Sequence, residues 1–404
     1  GGVHCPRPAS FRFAPPPDMP SPDVLIVGGG VIGLSCGVEL ARRGRSVLLL
    51  ERDAVGARTG AASWAGAGML PPASLEHAES PRDRLRAFAH TRWDDWAAAL
   101  REASGVDVGY ERLGSLHVSH PELGGDFAAE EAEQAAAAFR RGGVCAEWLP
   151  PEALRTEVPF LSREVAAVVR LPDAGQVRNP RLLRALRAAG GIRLEIREGT
   201  PVRAVRRLGG RAVGVMTEAG ERLDAGAVLL CGGAWTGGLL APLGFDAAVR
   251  PVRGQIALLR TPKRPFAPVI ECGARYLVPR ADGRTIVGAT QEEVGFRPDT
   301  TAAGLAGLLD FAAALVPALG GAAVERCWAG LRPGTPDGNP LLGHVPGRDA
   351  GEIDGLFLAA GHFRDGLQQS PGAAAIVADL IEDRPPPVSL EGLAPGRFDA
   401  KGER

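Results

Sequence analysis

Two stretches of this 404-residue chain combine residue types whose spacing can do chemistry. The first is Gly28-Gly-Gly30-Val31-Ile32-Gly33, followed by Glu51 at close to the roughly 20-residue spacing expected of an acid that binds a ribose 2′-OH. Gly28 permits a tight turn, Gly30 lets backbone N–H groups approach a pyrophosphate, and Gly33 lets a helix pack close to a strand. The second stretch pairs Trp328-Ala-Gly-Leu-Arg332-Pro-Gly-Thr335 with Gly361-His362-Phe363-Arg364. A guanidinium held in a Gly/Pro-rich turn offers two parallel donors, which suits a carboxylate sequestered from water. Tyr276, one of two tyrosines, either adds a hydroxyl to such a site or packs across strands. Arg364 reads equally as a donor to nearby carbonyls, and His362 as structural rather than as a base.

The elements that position these residues follow from pattern. Val24 to Val27 is a short apolar run, as in a parallel strand covered on both faces. An apolar helix follows, and then a second strand, Ser46 to Glu51. The helix start points unpaired N–H groups and a positive dipole end at the phosphates. The small-residue run from Ala57 to Met69 is a loop that admits close backbone approach. Residues 81 to 104 carry Leu85, Phe88, Trp93, Trp96 and Leu100 at helical spacing and predict one amphipathic helix with a core-facing aromatic stripe. Further helices are expected over Glu130–Arg141 and over Asn179–Ala189, the latter capped by Asn179 with Pro180 first.

Ala227 to Cys231 is an apolar strand running into glycines. It belongs with the first unit, which makes the nucleotide domain discontinuous. Gln255–Leu259, Arg275–Val278 and Thr285–Gly288 read as strands, with Asp282-Gly283 as a hairpin turn. Leu356 to Ala360 feeds Gly361, a loop, and a helix from about Gly372 to Ile381 with Ser370 and Pro371 suited to its start. Such a helix start can stabilise negative charge on a bound ring. The expected fold is α/β. A Rossmann-like domain (19–75, 165–240 and 335–390) is joined to an α+β substrate domain on an antiparallel sheet (76–164 and 241–334).

Composition excludes several classes. The net charge is −1 and only Lys263 and Lys401 are lysines, so no nucleic-acid footprint stands out. Six cysteines without a CxxC pair and seven histidines without HExxH give no metal site and fit a reducing, cytoplasmic setting. No apolar run reaches the roughly 20 residues of a membrane span. Residues 1–18 are Pro-rich, lack the apolar core of a signal peptide and are expected to be a disordered tail, with Met19 suited as a start. The sequence leaves a homo-oligomer open.

Taken in order across roughly residues 20 to 385, these motifs, with Ser63-Trp-Ala-Gly-Ala-Gly-Met69, Tyr276-Leu-Val-Pro-Arg-Ala-Asp-Gly and Val287-Gly-Ala-Thr290, resemble the glycine oxidase branch of the D-amino-acid oxidase family of FAD flavoproteins. The resemblance implies non-covalent FAD and oxidation of glycine, sarcosine or D-alanine by O2 in the thiamine pathway. It places the cofactor on Gly28, Gly30, Val31, Ile32, Gly33, Glu51, Arg52, Ala62, Ser63, Ala67, Gly68, Met69 and Val202. It adds His362, Phe363, Arg364, Asp365, Gly366, Leu367 and Gln368. Arg332 would grip the substrate carboxylate, assisted by Tyr276, with Arg364 and Gln291 also at the substrate. No catalytic dyad is implied, because hydride transfer from an amine needs its lone pair free rather than a strong base. Gln291 stands where relatives typically carry an apolar residue, and Gln368 and Gln369 occupy a stretch usually apolar. The alternatives are a D-amino-acid dehydrogenase with a non-oxygen acceptor, or an oxidase domain acting on modified tRNA.

Overall fold

The computed structural model describes residues 21–57, 60–347 and 351–401; the expected tail and Met19 lie outside them. At the centre of the first sheet are β1 (Val24–Val27) and β2 (Val47–Leu50), joined by helix α1 (Val31–Arg42). They pair in parallel, and β1 also pairs in parallel with Ala227–Leu230. Strand Glu352–Ala360 extends this side and Leu194–Arg197 pairs with β2, both in parallel. β1, β2 and Ala227–Leu230 are buried at every position, as strands covered on both faces must be. The full sheet has nine strands, drawn from three separated parts of the chain, and antiparallel strands such as the pair Val202–Leu208 and Arg211–Thr217 finish one edge.

The second sheet has eight strands, in the order 323–334, 250–260, 284–288, 275–279, 269–272, 115–119, 167–171 and 147–149. Its pairs are antiparallel except Val269–Cys272 with Ser115–Ser119. The Asp282-Gly283 turn joins Arg275–Pro279 to Arg284–Gly288, as expected. The fold is therefore the expected one, a Rossmann-like layer with a second, largely antiparallel sheet domain.

Several local readings differ from expectation. The single helix over 81–104 is two, Pro81–His90 and Trp93–Ser104, and the aromatic stripe still packs inward, with Trp93, Trp96, Leu85 and Leu100 in the core beside α1. These helices were expected in the second domain, and strand Ala167–Leu171 in the first; the helices pack on the first sheet's core and the strand is bonded into the second sheet. The loop over 57–69 holds a short helix, α2 (Ala62–Ala65), and Met69–Leu70 pairs as a strand. Asn179 does not cap its helix, because its amide instead donates to Ser63 O (3.1 Å) and Gly66 O (2.7 Å), tying helix Asn179–Ala189 to the α2 segment.

The C-terminal helix runs from Gly366 to Ile381, six residues longer than expected at its start, with Pro371 inside it. A proline there removes the N–H that would bond to Leu367 O. Ser370 Oγ donates to that carbonyl at 2.9 Å and satisfies it, so the helix continues through the proline.

Candidate FAD and substrate site

A cavity of about 690 Å³ lies between the two sheets. Its first end is the turn after β1. Gly28 has φ +114°, and a Cβ there would collide with the Cys231 carbonyl. A Cβ at Gly33 would collide with Gly28 O, so this glycine seats α1 against β1 without itself lining the cavity. No side chain caps α1 at Gly30. Val31 N donates to Ser63 Oγ at 2.9 Å, and the start of the helix faces the cavity. This arrangement fits a pyrophosphate. Glu51 receives Gly29 N at 2.6 Å and Asp53 N at 3.0 Å. Those bonds fix its carboxylate at the cavity wall, where its remaining lone pairs suit ribose hydroxyls. Arg52 lies 3.8 Å over the Trp235 ring beside it.

Along the middle run Val202 and the segment from Ala62 to Met69. That segment is held from behind. Trp328 Nε1 donates to Ala65 O at 2.9 Å, and the buried Arg280 donates to Ala67 O at 2.5 Å and to Gln176 Oε1 at 2.9 Å. Burial lowers the Arg280 pKa to about 9. The gap so framed, with glycine at both its phosphate turn and its mid-wall, fits FAD in size and donor chemistry.

The far end holds the predicted substrate residues. Arg332 Nη1 donates to Thr290 O at 3.1 Å and Arg253 O at 3.4 Å. Its guanidinium lies directly over Gly254, where any Cβ would collide with it. The Tyr276 ring lies in the same way over Gly288. Burial raises the Tyr276 pKa, and the Arg332 and Arg364 guanidiniums oppose that rise. Burial lowers the Arg364 pKa, and the charge of Arg332 lowers it further. From His362 to Gln368 every residue lines the cavity, the last three as the first turn of the C-terminal helix.

His362 is buried and its Nδ1 lies 2.8 Å from Gln369 Oε1. Burial lowers its pKa to about 4, so it is neutral at physiological pH. Gln368 and Gln369 are both buried and both engaged: Gln368 bridges Pro71 O (2.6 Å) and Arg86 Nε (3.2 Å), and Gln369 holds His362.

Gln291 is the exception. It was expected buried at the substrate, yet its side chain is exposed and does not line the cavity, although the backbone stays beside strand 250–260, where Glu292 bridges Arg253. Its amide oxygen accepts from Arg364 Nη2. Sequence reasoning missed Arg82, Arg86 and Glu271 in the wall. Arg82 Nε bonds Asp365 Oδ2 at 2.5 Å and so anchors the start of the C-terminal helix. The i,i+4 pair Arg82/Arg86, opposite the apolar stripe, was the available signal.

A βαβ turn with an acid, a glycine-lined slot, and an arginine–tyrosine pair at its far end fit the class of dinucleotide-binding flavoproteins. Residues 23–380 match the FAD dependent oxidoreductase (DAO) family, and the chain belongs to it. It is an FAD-dependent oxidoreductase. It is 36% identical over 377 residues to glycine oxidase of Pseudomonas aeruginosa, covering 92% of this chain and 98% of that protein. It is 37% identical over 384 residues to the bifunctional protein ThiO/ThiG of Synechocystis, covering 93% of this chain but only 54% of that protein. Among solved structures, glycine oxidase from Geobacillus kaustophilus superposes with TM-score 0.84 at 32% identity, covering 93% of this chain and 98% of that one.

Proposed function

We propose that this protein oxidises glycine or a closely related amino acid such as sarcosine or D-alanine, giving the imine, and after hydrolysis the oxo acid, with H2O2 from O2. Similarity to glycine oxidase and to ThiO/ThiG supports this reading and a role supplying thiazole synthesis. The observation that carries it is Arg332 over Gly254 beside Tyr276, a planar fork with an adjacent hydroxyl at the far end of the FAD cavity.

FAD held in this cavity would supply the acceptor for the hydride that leaves the substrate Cα. Everything else falls to side chains that position and exclude. Arg332 and Tyr276 fix the carboxylate, so that the Cα–H points in one direction. The Thr290 and Arg253 carbonyls hold the Arg332 fork, and Gly254 gives it room. Neutral His362 leaves the amine its lone pair. The Phe363–Gln368 turn closes the wall against water. The site roles of Gly28, Gly30, Val31, Ile32, Glu51, Arg52, Ala62, Ser63, Ala67, Gly68, Met69 and Val202 toward FAD belong to the same proposal, as does non-covalent binding. Cytoplasmic location is proposed with them. No described helix is long and apolar enough to cross a membrane, so the quinone-linked dehydrogenase gains no support from a membrane anchor. The near-zero net charge likewise lends none to a tRNA substrate.

Arg332→Ala tests the reading. It is expected to keep FAD while lowering kcat/KM for glycine by about 2–5 kcal/mol in transition-state terms, as for one partner of a buried charge pair. Unchanged kinetics would assign the carboxylate elsewhere.

A further inference from the structure

Arg332 and Arg364 are neighbours by construction. Phe363 N donates to Pro333 O at 2.9 Å, and each arginine is one residue from that bond. Phe363 has φ +46°, a conformation that a bulky residue rarely adopts. The loop holds it there and so aims Arg364 at the cavity end that contains Arg332 and Tyr276. The two guanidiniums rest on consecutive residues, Arg332 on the Thr290 carbonyl and Arg364 on the Gln291 side-chain amide.

Both acceptors are neutral. The carboxylates in this wall are occupied: Asp365 is bonded to Arg82, and Glu271 faces His117 at 3.6 Å. One substrate carboxylate neutralises Arg332 and leaves the other cation facing it without a countercharge. Arg364 lines the cavity while part of its side chain stays in solvent.

We propose that this site prefers small amines carrying a second carboxylate, with Arg332 on the carboxylate beside the reacting carbon and Arg364 on the other. The inference rests on the oxidase reading above and specifies its substrate class. Iminodiacetate is the simplest such compound. One Cα–H bond breaks, its hydrogen and electron pair leave as hydride, and the amine proton is released as the C=N bond forms. Water adds to the imine to give glycine and glyoxylate, and O2 takes up the two electrons with two protons as H2O2.

The test compares initial rates on the holoenzyme with iminodiacetate and with N-ethylglycine, which is similar in size but ends in a methyl group. The expected kcat/KM is at least about tenfold higher for iminodiacetate, the scale of one charge-assisted hydrogen-bonded contact. Arg364→Met should lower that ratio by about tenfold, and Gln291→Glu, which supplies Arg364 with a fixed carboxylate, should lower it in the same direction. Equal or better use of N-ethylglycine by the unmodified enzyme overturns the inference without needing either variant. Oxidation of glycine or sarcosine with none of iminodiacetate overturns it and leaves the oxidase reading standing. No H2O2 from any of the four amines overturns both.

Discussion

The position of Arg332 depends less on its own bonds than on what is missing beneath it. A methyl group at Gly254 would occupy the space of the guanidinium, so Gly254→Ala is expected to lower kcat/KM about as far as Arg332→Ala while the flavin spectrum and FAD content stay normal. A Gly254→Ala enzyme with unaltered kinetics would show that Arg332 is free to relocate. At this scale the sequence was partly readable. The arginines announced themselves by their glycine- and proline-rich surroundings, and the fingerprint glycines by spacing. Gly254 and Gly288 did not, because their role is set by side chains from neighbouring strands whose register no local pattern reveals. Gln291 misled for a related reason: adjacency to the strand Arg284–Gly288 said nothing of which way its side chain leaves the backbone, and it goes to Arg364 and solvent.

Among the elements, α1 and the C-terminal helix aim their starts into the same cavity, and each depends on a small feature. Gly33→Ala would force α1 away from the β1 turn, so it is expected to yield protein that folds poorly or retains little FAD, read from the ratio of flavin to protein absorbance. Full FAD occupancy in that variant would mean the turn can relax. Ser370→Ala leaves Leu367 O without a donor inside the helix and should destabilise the protein by about 1–3 kcal/mol in urea unfolding. A change below about 0.5 kcal/mol would indicate that water replaces the hydroxyl. Strands and the first βαβ unit were legible because burial on both faces and period both speak locally. The start of the C-terminal helix was not, because Pro371 is a sound stop signal whose local cost Ser370 removes. Asn179 was read as a cap by the same local logic, while its amide serves the α2 segment instead.

For the whole molecule, acid should be a destabilising stress. Burial holds His362 at about 4, against an ordinary 6.5. Its folded-state pKa is depressed, so below 6.5 the unfolded chain binds a proton that the folded chain refuses. Stability therefore falls as pH drops from about 6.5 to about 4, by up to roughly 3 kcal/mol. Urea midpoints between pH 7 and 4.5 should show that slope, and His362→Gln should flatten it; equal slopes would place the acid sensitivity elsewhere. The two-sheet architecture and the class of reaction were legible from motif order, whereas which segments join which sheet was not, since 81–104 and 167–171 exchange sides through long-range packing. The most direct measurement of the central claim is H2O2 and oxo-acid production by purified, flavin-loaded protein given glycine, sarcosine and D-alanine in air. Stoichiometric H2O2 and glyoxylate from glycine or sarcosine, with yellow colour released to the supernatant on acid precipitation, is the predicted result; flavin-loaded protein that produces no H2O2 from any of the three would contradict it.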